Sequence, residues 1–380
     1  MAGEKKMRIA LITPYYFPIL GGYTLIAHGL SRSFREKGHE VKVLTPTCAP
    51  SYKDENVLTF EKRPLPFKEK RGILKGLNFF EKMFGYKELT SVQSDMVLKI
   101  EKINPDIVHT FGAIQYGFVG TISSARNFKW IHTFITQPPN RISFFKRTMV
   151  RKVFSRADSM TVTATNQLRD IKEKYGLEAS IAIPVGVDTN FFTPSPQSMK
   201  TPIIGAVSNF VWKEKVEGLL LLIRSFKRVR STYPDIKLKI VGEGDYRKLV
   251  EETIKENGLE KEVELLGKMT REEICKFYQS ISVFVHISYQ DTLPLTVLEA
   301  MASGLAVVGS NIGDVPRVMS EKAGLVIEME EVAIANAILR LLDSQELREN
   351  LGRSARKKVE QEYSWPKVVD EYLEAYGSLL

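Results

Sequence analysis

Short apolar, β-rich runs alternate with longer amphipathic stretches along nearly the whole chain. Apolar runs bounded by helices are typical of parallel strands that are buried on both faces of a sheet. In the first half the pattern predicts strands at Arg8–Thr13, Val41–Leu44, Asp106–Thr110, Trp130–Phe134, Met160–Thr163 and Ser180–Ile183. In the second half it predicts strands at Pro202–Val207, Lys237–Val241, Val263–Leu266, Val283–Ile287, Ala306–Val308 and Leu325–Ile327. This alternation predicts an α/β protein with two doubly wound, Rossmann-like domains.

A change in composition places the expected boundary between the two domains. The segment 193–202 contains three prolines and several small polar residues, and the strand–helix alternation resumes after it. Such a composition is typical of a linker, and 380 residues exceed what one ordinary core holds. We therefore expect an N-terminal domain at 1–195, a C-terminal domain at 196–363 and a final helix at 364–380.

Composition and charge narrow the classes of partner. The chain is 43% apolar and 26% charged, which is typical of a globular protein. Its net charge of +9 favours acidic partners such as phosphates, nucleic acid or an anionic membrane. No zinc-finger or RNP-type signature supports nucleic acid, so we do not expect that partner. Two cysteines cannot build a disulfide framework and indicate a reducing compartment.

The start of the chain has an uncharged run, Ile9–Leu30, that could be mistaken for a targeting segment. Pro14, Pro18 and the pair Gly21-Gly22 interrupt it, and the apolar part is only as long as a strand. We expect a cytoplasmic protein, with peripheral contact to the cytoplasmic membrane face as an open alternative.

The stretch 288–304, which reads SYQDTLPLTVLEAMASG, follows a predicted strand and opens a helix. Pro294 suits the first helical turn, where its missing N–H costs nothing. The free amide groups in this turn form a positive pocket at the carboxyl end of the strand, which suits a diphosphate. Glu299 can accept hydrogen bonds from two vicinal ribose hydroxyls, and Asp291 lies in the loop beside the turn. The donor-binding candidates here are Leu293, Pro294, Leu295, Thr296 and Glu299.

This stretch resembles the E-x7-E signature of retaining GT-B glycosyltransferases, particularly glycosyltransferase family four, with Asp291 at the first acidic position and Glu299 at the second. In that family the first acid lies beside the donor sugar and diphosphate, and the second holds the ribose. The resemblance implies two domains facing across a cleft and transfer of a hexosyl unit from a nucleoside-diphosphate sugar, with retention. It implies no metal and no cofactor.

Other segments extend the resemblance over essentially the whole chain. The loop Gly242-Glu-Gly244 resembles one that lies near the nucleotide, and Gly267-Lys268-Met269 resembles a segment that lines the base pocket. Gly186-Val-Asp188 resembles the segment that leads to the linker, for which a structural role is expected. Glu362–Trp365 resembles the start of a terminal helix that crosses back to the first domain. The resemblance therefore adds Gly242 and Lys268 to the donor-binding candidates.

The pair Gly21-Gly22 follows the first predicted strand and precedes a helix. Two glycines let a backbone approach a phosphate or sugar closely, although a simple turn is the alternative. In the family this loop closes on the donor, which makes Gly21 a binding candidate and Gly22 a catalytic one. At the positions of two active-site histidines of relatives, this chain carries Ile26 and Ile135. His109 and His132 are expected to be structural residues at strand ends.

Relatives also present an Arg and a Lys to the leaving diphosphate, where cations stabilise the developing negative charge. Here Asn209 stands at the Arg position and Glu214 at the Lys position, with Lys213 and Lys215 on either side. We expect Lys215 first and Lys213 second to serve, while a solvated surface pair is the alternative. The expected catalytic set is thus Asp291, Lys215, Lys213 and Gly22. The departures leave a second hypothesis open: a catalytically degenerate nucleotide-sugar binder or a subunit of a glycosyltransferase complex.

Two basic, aromatic stretches, 66–84 and 141–154, indicate where an acceptor could bind. Both could be amphipathic helices on an anionic bilayer, which would suit a lipid-linked acceptor. The alternative is a helix that packs its apolar face on the sheet and turns its cations to solvent. The expected partners are therefore a nucleotide-sugar donor, a glycan or lipid-linked acceptor and an anionic membrane surface.

Overall fold

The computed structural model describes residues 6–17, 19, 21–46, 54–60, 93–112, 127–138, 142–195 and 202–380. The chain divides into two compact units. The first combines Met1–Pro184 with Val368–Leu380, and the second is Val185–Lys367. Each unit is a parallel sheet with helices, as the hydrophobic pattern predicts.

The described part of the first unit contains a seven-stranded parallel sheet in the order β3-β2-β1-β4-β5-β6-β7. Its strands are β1 (Arg8–Ile12), β2 (Glu40–Thr45), β3 (Val57–Thr59), β4 (Ile107–Phe111), β5 (Lys129–Phe134), β6 (Ser159–Val162) and β7 (Ile181–Ala182). Its helices are α1 (Gly22–Glu36), α2 (Gln93–Ile103), α3 (Phe144–Phe154) and α4 (Thr165–Tyr175). The predicted strands all appear within a few residues, and the short edge strand β3 is the one that the pattern missed.

The second unit, described from residue 202 onward without a gap, holds a six-stranded parallel sheet in the order β10-β9-β8-β11-β12-β13. Its strands are β8 (Ile203–Val207), β9 (Lys237–Val241), β10 (Val263–Gly267), β11 (Val283–His286), β12 (Ala306–Ser310) and β13 (Leu325–Ile327). Its helices are α5 (Lys213–Thr232), α6 (Arg247–Glu256), α7 (Arg271–Gln279), α8 (Leu295–Ala302), α9 (Val315–Ala323), α10 (Glu331–Asp343) and α11 (Gln345–Lys358). A π-helical turn (Val359–Tyr363) leads to the last helix, α12 (Trp365–Gly377). The strand order reverses between β8 and β11, and ligands of doubly wound sheets bind at such a switch point.

The second unit begins at Val185, about ten residues before the boundary that the prolines indicate. The reason is packing, because Val187 forms a parallel bridge with Ser364, and its N–H donates to the Tyr363 carbonyl oxygen at 2.8 Å. A Cβ at Gly186 would lie 2.4 Å from the Trp365 ring, so only glycine fits there. The segment therefore belongs to the second unit, and the proline-rich stretch 193–202 does not mark the boundary.

Most of the C-terminal helix α12 belongs to the first unit, because that unit includes the residues from Val368 onward. Tyr376 on α12 places its hydroxyl 2.6 Å from Nδ1 of His109 on β4. Nε2 of His109 lies 2.6 Å from the Thr133 hydroxyl, which in turn lies 2.6 Å from the Thr161 hydroxyl. Burial, followed by the nearby His132, lowers the pKa of His109 well below its usual value. A neutral imidazole thus ties α12 to three strands.

His132 on β5 is also fully buried, with Nδ1 lying 2.9 Å from the Thr110 hydroxyl and its ring stacked on Phe154. Burial lowers its pKa to about 3. Both histidines therefore lie within the core of the first unit as neutral groups. Among the described helices of the whole chain, none has the length and apolar character needed to cross a membrane.

Candidate functional site

The carboxyl ends of β8 and β11 meet at the switch point of the second sheet and carry a small cluster of polar side chains. A cavity of about 10 Å³ lies between these ends, which is room for about one water molecule. Its polar lining comes from Ser208, Lys215, His286 and Ser288. In the described residues no group of three or more His, Cys, Asp or Glu side chains is arranged to hold a metal ion.

Asp291 stands at the centre of this cluster. Its Oδ2 lies 2.8 Å from Nζ of Lys215 and 3.4 Å from Nε2 of His286. Its Oδ1 accepts a hydrogen bond from the N–H of Thr292 at 3.1 Å. Neither Oδ2 of Asp291 nor Nε2 of His286 has a hydrogen-bond partner of good geometry, although both atoms are buried. The cluster thus holds charge in close contact but leaves hydrogen-bonding capacity unused.

Opposing effects set the charge of Asp291. Burial works to raise its pKa, while the contact with His286 and the positive charge of Lys215 work to lower it. The contacts win and hold the pKa of Asp291 at about 2. Asp291 is therefore a carboxylate at neutral pH, despite a side chain that is only 10% exposed.

Lys215 reaches Asp291 because helix α5 lies unusually close to the loop after β11. A Cβ at Gly218, one turn after Lys215, would lie 2.2 Å from the Ile287 carbonyl oxygen. The N–H of Tyr289 also donates to the Glu214 carbonyl oxygen at 3.2 Å. Residues three apart share a helix face, so the glycine turns the face that carries Lys215 toward the site.

The loop that carries Asp291 is fixed from its other side by the start of α9. The N–H of Asp314 donates to the Thr292 carbonyl oxygen at 2.8 Å. Gly313 has a φ of 55°, and a Cβ there would lie 2.2 Å from the same oxygen. The backbone around Asp291 is therefore held on two sides before any ligand binds.

Glu299 lies on α8, one turn into the helix that starts beside this loop, and its side chain is buried. Its Oε2 accepts a hydrogen bond from the hydroxyl of Tyr278 on α7 at 3.1 Å. Burial raises the pKa of Glu299 to about 7, opposed by the Tyr278 hydrogen bond and the positive charge of Arg271. Near neutral pH the side chain therefore populates both its protonated and its ionised form.

The other residues expected at the diphosphate end occupy the start of α8. The helix begins at Leu295, with Pro294 directly before it, one residue earlier than its expected place in the first turn. Leu293 is packed in the apolar core, and Leu295 and Thr296 are half-buried. The amides of a first turn have no partner within the helix, so those of Leu295 and Thr296 are available to an anion.

The structure separates the two candidate lysines. Lys213 is 68% exposed and pairs with Glu217 one turn along α5 at 3.5 Å. Lys215 is 28% exposed and contacts Asp291. Asn209 is exposed in the loop before α5, and Glu214 is exposed as well. Of these residues, the structure brings only Lys215 to Asp291.

The glycine loop at Gly242 packs against the chain itself. A Cβ at Gly242 would lie 1.8 Å from the Ser208 carbonyl oxygen, and one at Gly244 would lie 2.5 Å from the Phe210 carbonyl carbon. The N–H of Phe210 also donates to the Glu243 carbonyl oxygen at 3.0 Å. These glycines let two loops at the strand ends pack closely together. This packing is enough to explain why glycine stands at both positions, whether or not a ligand binds. Lys268 is exposed just after β10.

In the first unit, Gly21 directly precedes α1 and Gly22 is its first residue. A Cβ at Gly22 would meet nothing within 4 Å, whereas one at Gly21 would lie 3.1 Å from the Tyr15 hydroxyl. Ile26 is buried in α1, and Ile135 is half-buried after β5. The role of the two glycines toward a donor stays a prediction.

Sequence reasoning missed three residues of the site: His286, Gly218 and Tyr278. His286 stands at the end of an otherwise apolar strand, which is an available signal for a residue at the carboxyl edge of the sheet. Gly218 interrupts a helical pattern, and a glycine there indicates close packing. Tyr278 carries no such signal, because a buried aromatic at helical spacing is ordinary core.

Comparison with protein families agrees with this architecture. The family model described as Glycosyltransferase Family 4 matches residues 20–191, and the model described as Glycosyl transferases group 1 matches residues 187–358. A D-inositol 3-phosphate glycosyltransferase of Corynebacterium urealyticum is 25% identical over 72% of this chain and 72% of its own length. A phosphatidyl-myo-inositol mannosyltransferase of Mycolicibacterium smegmatis is 24% identical over 98% of this chain and 94% of its own.

Solved structures share the fold over nearly the whole chain. A sucrose-phosphate synthase from Thermosynechococcus elongatus has a TM-score of 0.76 and 20% identity, covering 98% of this chain and 99% of its own. The Anabaena protein HepE in complex with UDP has a TM-score of 0.78 and 16% identity, covering 98% of this chain and all of its own. The two family models together span residues 20–358, so the chain belongs to the glycosyltransferases that these models describe, and the solved structures show that it has the GT-B fold.

Proposed function

We propose that the protein transfers a hexosyl unit from a nucleoside-diphosphate sugar to a glycan or lipid-linked acceptor, with retention of anomeric configuration. The observation that carries this proposal is the grouping of Lys215, Asp291 and Glu299 around the start of α8 at the switch point. HepE has been crystallised with UDP and with UDP-glucose, which supports a nucleotide-sugar as the donor class.

Each group in this arrangement suits one part of such a donor. The ionised carboxylate of Glu299 can accept hydrogen bonds from the two ribose hydroxyls. The amides of Leu295 and Thr296 and the positive end of α8 suit the diphosphate. The Lys215 ammonium can stabilise the charge that develops as the nucleoside diphosphate leaves. These cationic groups fill the role that a metal ion plays elsewhere, so the proposal includes neither metal nor cofactor.

Asp291 is assigned to orient the donor sugar. The overall step forms a bond between the acceptor oxygen and the anomeric carbon, breaks the bond to the diphosphate oxygen and releases the acceptor proton. Asp for Glu keeps the charge at this position and shortens the side chain by one methylene. The contacts with His286 and Lys215 keep the carboxylate ionised for this role.

The acceptor class rests on the relatives. The names of the two relatives described above specify D-inositol 3-phosphate and phosphatidyl-myo-inositol. These names favour a phosphorylated polyol or a lipid headgroup as the acceptor. The alternative of a non-catalytic nucleotide-sugar binder is motivated by Ile26, Ile135, Asn209 and Glu214.

A measurement of enzymatic turnover distinguishes a glycosyltransferase from a non-catalytic nucleotide-sugar binder. The protein is incubated with UDP-, GDP- and ADP-hexoses and with inositol phosphate, phosphatidylinositol or glycan acceptors, with and without EDTA. We expect one donor to give a product whose anomeric proton has the donor's configuration by NMR, at a rate insensitive to EDTA. Nucleotide binding without any product would instead support the non-catalytic alternative, and an inverted product would contradict retention.

A membrane role extends this proposal to helix α3. Phe144 at its start is 84% exposed, and Arg147, Arg151 and Lys152 are exposed on the same helix. Its other face packs in the core through Val150, Val153 and Phe154, so that face has a structural role. We propose that the exposed face contacts an anionic bilayer on the cytoplasmic side. The other candidate stretch, 66–84, lies outside the described residues, as does Arg141.

Vesicle sedimentation tests this contact. At low salt the protein should sediment together with phosphatidylserine vesicles. Replacing both Arg147 and Arg151 with Glu should weaken this binding by roughly 1 kcal/mol for each cation removed. The matched control replaces Arg169 and Lys172 of α4, which are also exposed. Equal loss in both variants would contradict a specific role for α3.

A further inference from the structure

Asp291 has two neighbouring nitrogen-bearing side chains, Lys215 and His286, and only one of them can move away. Lys215 Nζ lies 2.8 Å from its Oδ2 and His286 Nε2 lies 3.4 Å from the same atom. The Lys215 side chain is 28% exposed, whereas that of His286 is 8% exposed and ends a buried strand. The lysine can therefore move toward a ligand, and the histidine stays in place.

A diphosphate at the start of α8 would compete with Asp291 for Lys215. If the ammonium turns to the phosphate oxygens, the buried carboxylate loses its nearest cation. A buried carboxylate without a cation is strongly unfavourable, and His286 is the remaining group that can supply one. Histidine is the side chain that ordinarily gains or loses a proton between pH 5 and 8.

We propose that His286 is a positioning residue that takes up a proton when a nucleoside diphosphate draws Lys215 away, and so keeps Asp291 ionised and in place. This inference rests on the proposed function, because it requires a diphosphate at the site. It also gives a use to the two buried atoms, Nε2 of His286 and Oδ2 of Asp291, that have no well-aligned hydrogen bond.

The surroundings of His286 make the proton easy to trace. Among the described residues, the titratable groups that contact His286 or share its cavity are Asp291 from the loop and Lys215 from α5. The rest of the cavity lining consists of the hydroxyl-bearing Ser208 and Ser288 and of aliphatic residues: Ala206, Val207, Leu219, Leu222, Val285 and Ile287. No other charged side chain of that lining could take the proton in place of His286.

Calorimetry in two buffers of different ionisation enthalpy measures proton uptake directly. UDP, GDP and ADP are titrated into the full chain near pH 7.5, and the matching nucleosides serve as controls without a diphosphate. Subtracting the nucleoside result removes protons exchanged by Glu299 at the ribose. The same titrations are repeated with His286→Gln and with Lys215→Met.

We expect the diphosphate to add an uptake of up to about one proton in the wild type, which weakens binding by at most about tenfold per pH unit as the pH rises. His286→Gln should remove this uptake, and so should Lys215→Met, because His286 is then already the only cation beside Asp291. An uptake that is the same in His286→Gln and wild type would overturn the inference while leaving donor binding intact. Absence of nucleotide binding altogether would overturn both the inference and the proposed function.

Discussion

Two buried histidines on central strands, His109 in the first unit and His286 in the second, have opposite surroundings. In the first unit His109 lies between the hydroxyls of Tyr376 and Thr133, and both ring nitrogens are used. In the second unit His286 lies beside the Lys215–Asp291 ion pair, and its Nε2 lacks a well-aligned partner. Buried polar groups are ordinarily satisfied, so the first cluster needs nothing further and the second is suited to a ligand. A complete, neutral network indicates a structural role, and an incomplete, charged one indicates a functional site.

The largest expected effect comes from breaking the complete network. His109→Leu should leave the Tyr376 hydroxyl buried without its histidine partner, remove one of the partners of the Thr133 hydroxyl, and lower the free energy of unfolding by about 3–4 kcal/mol. Urea denaturation measures the loss. The variant should keep wild-type nucleotide affinity at temperatures where it is folded.

Tyr376→Phe is the matched control for this variant, since it removes one hydroxyl and no ring volume. We expect it to cost about 1–2 kcal/mol. If His109→Leu weakened nucleotide binding in the folded protein, the division into a structural and a functional histidine would fail.

The next effect concerns Glu299 and has the opposite sign. Its pKa of about 7 in the folded protein, against 4.5 as the reference, means that folding is weakened as the pH rises through this range. Glu299→Gln should therefore stabilise the protein by about 3 kcal/mol at pH 8 and by nearly nothing at pH 4.5. The same change should remove ribose-dependent binding.

Urea denaturation of wild type and Glu299→Gln at the two pH values checks this prediction. Nucleoside titrations add a second test, because wild-type affinity should rise with pH through 7 as Glu299 ionises, and the variant should lose that dependence. A Gln variant less stable than wild type at pH 8 would contradict the role of burial at Glu299.

These residues show how much of the fold and of the candidate site the sequence could predict. Alternating apolar runs predicted the strands that surround the switch point. The sequence also predicted that Asp291 lies in the loop after β11 and Glu299 on the following helix, and the structure has them there, while their role as a donor site stays a prediction. Counting along the chain could not choose between Lys213 and Lys215, because the choice depends on how closely α5 approaches the neighbouring loop. That approach depends on Gly218 and Ile287, which are 69 residues apart (287 − 218). His286 was overlooked although its place at the end of an apolar strand was an available signal, and its contact with Asp291 depends on how the intervening loop turns.

The domain boundary teaches the same point from another side. Prolines in 193–202 indicate a linker, but Val187 pairs with Ser364 far along the chain. The composition of a segment indicates its local conformational preference. Which unit the segment belongs to depends instead on its contacts with residues that are distant in sequence. β3 was missed because a three-residue edge strand is too short to show a period.

A smaller effect should follow when the approach of α5 is disturbed. Gly218→Ala places a methyl group against the Ile287 carbonyl, so the helix must shift, at a cost of about 1–3 kcal/mol. The shift should separate Lys215 from Asp291, so that the diphosphate adds less to the affinity while nucleoside affinity changes little. Calorimetric titration of both ligands measures the two contributions.

Gly377→Ala is the matched control, because a Cβ there meets nothing within 4 Å. It should leave both affinities unchanged and alter stability by no more than about 1 kcal/mol. Equal diphosphate affinity in Gly218→Ala and wild type would show that the close helix contact does not position Lys215.

The central claim is that Lys215 and its neighbours form the diphosphate end of a donor site. The most direct test compares the nucleotide affinities of variants at two lysines of one helix turn. The nucleoside diphosphate that binds best is titrated into Lys215→Met and Lys213→Met, with EDTA present. Loss of a charge-assisted contact of about 1.5–3 kcal/mol predicts affinity about 10- to 100-fold weaker for Lys215→Met. Lys213→Met should bind as the wild type does. Equal losses in the two variants, or a loss confined to Lys213→Met, would contradict the account.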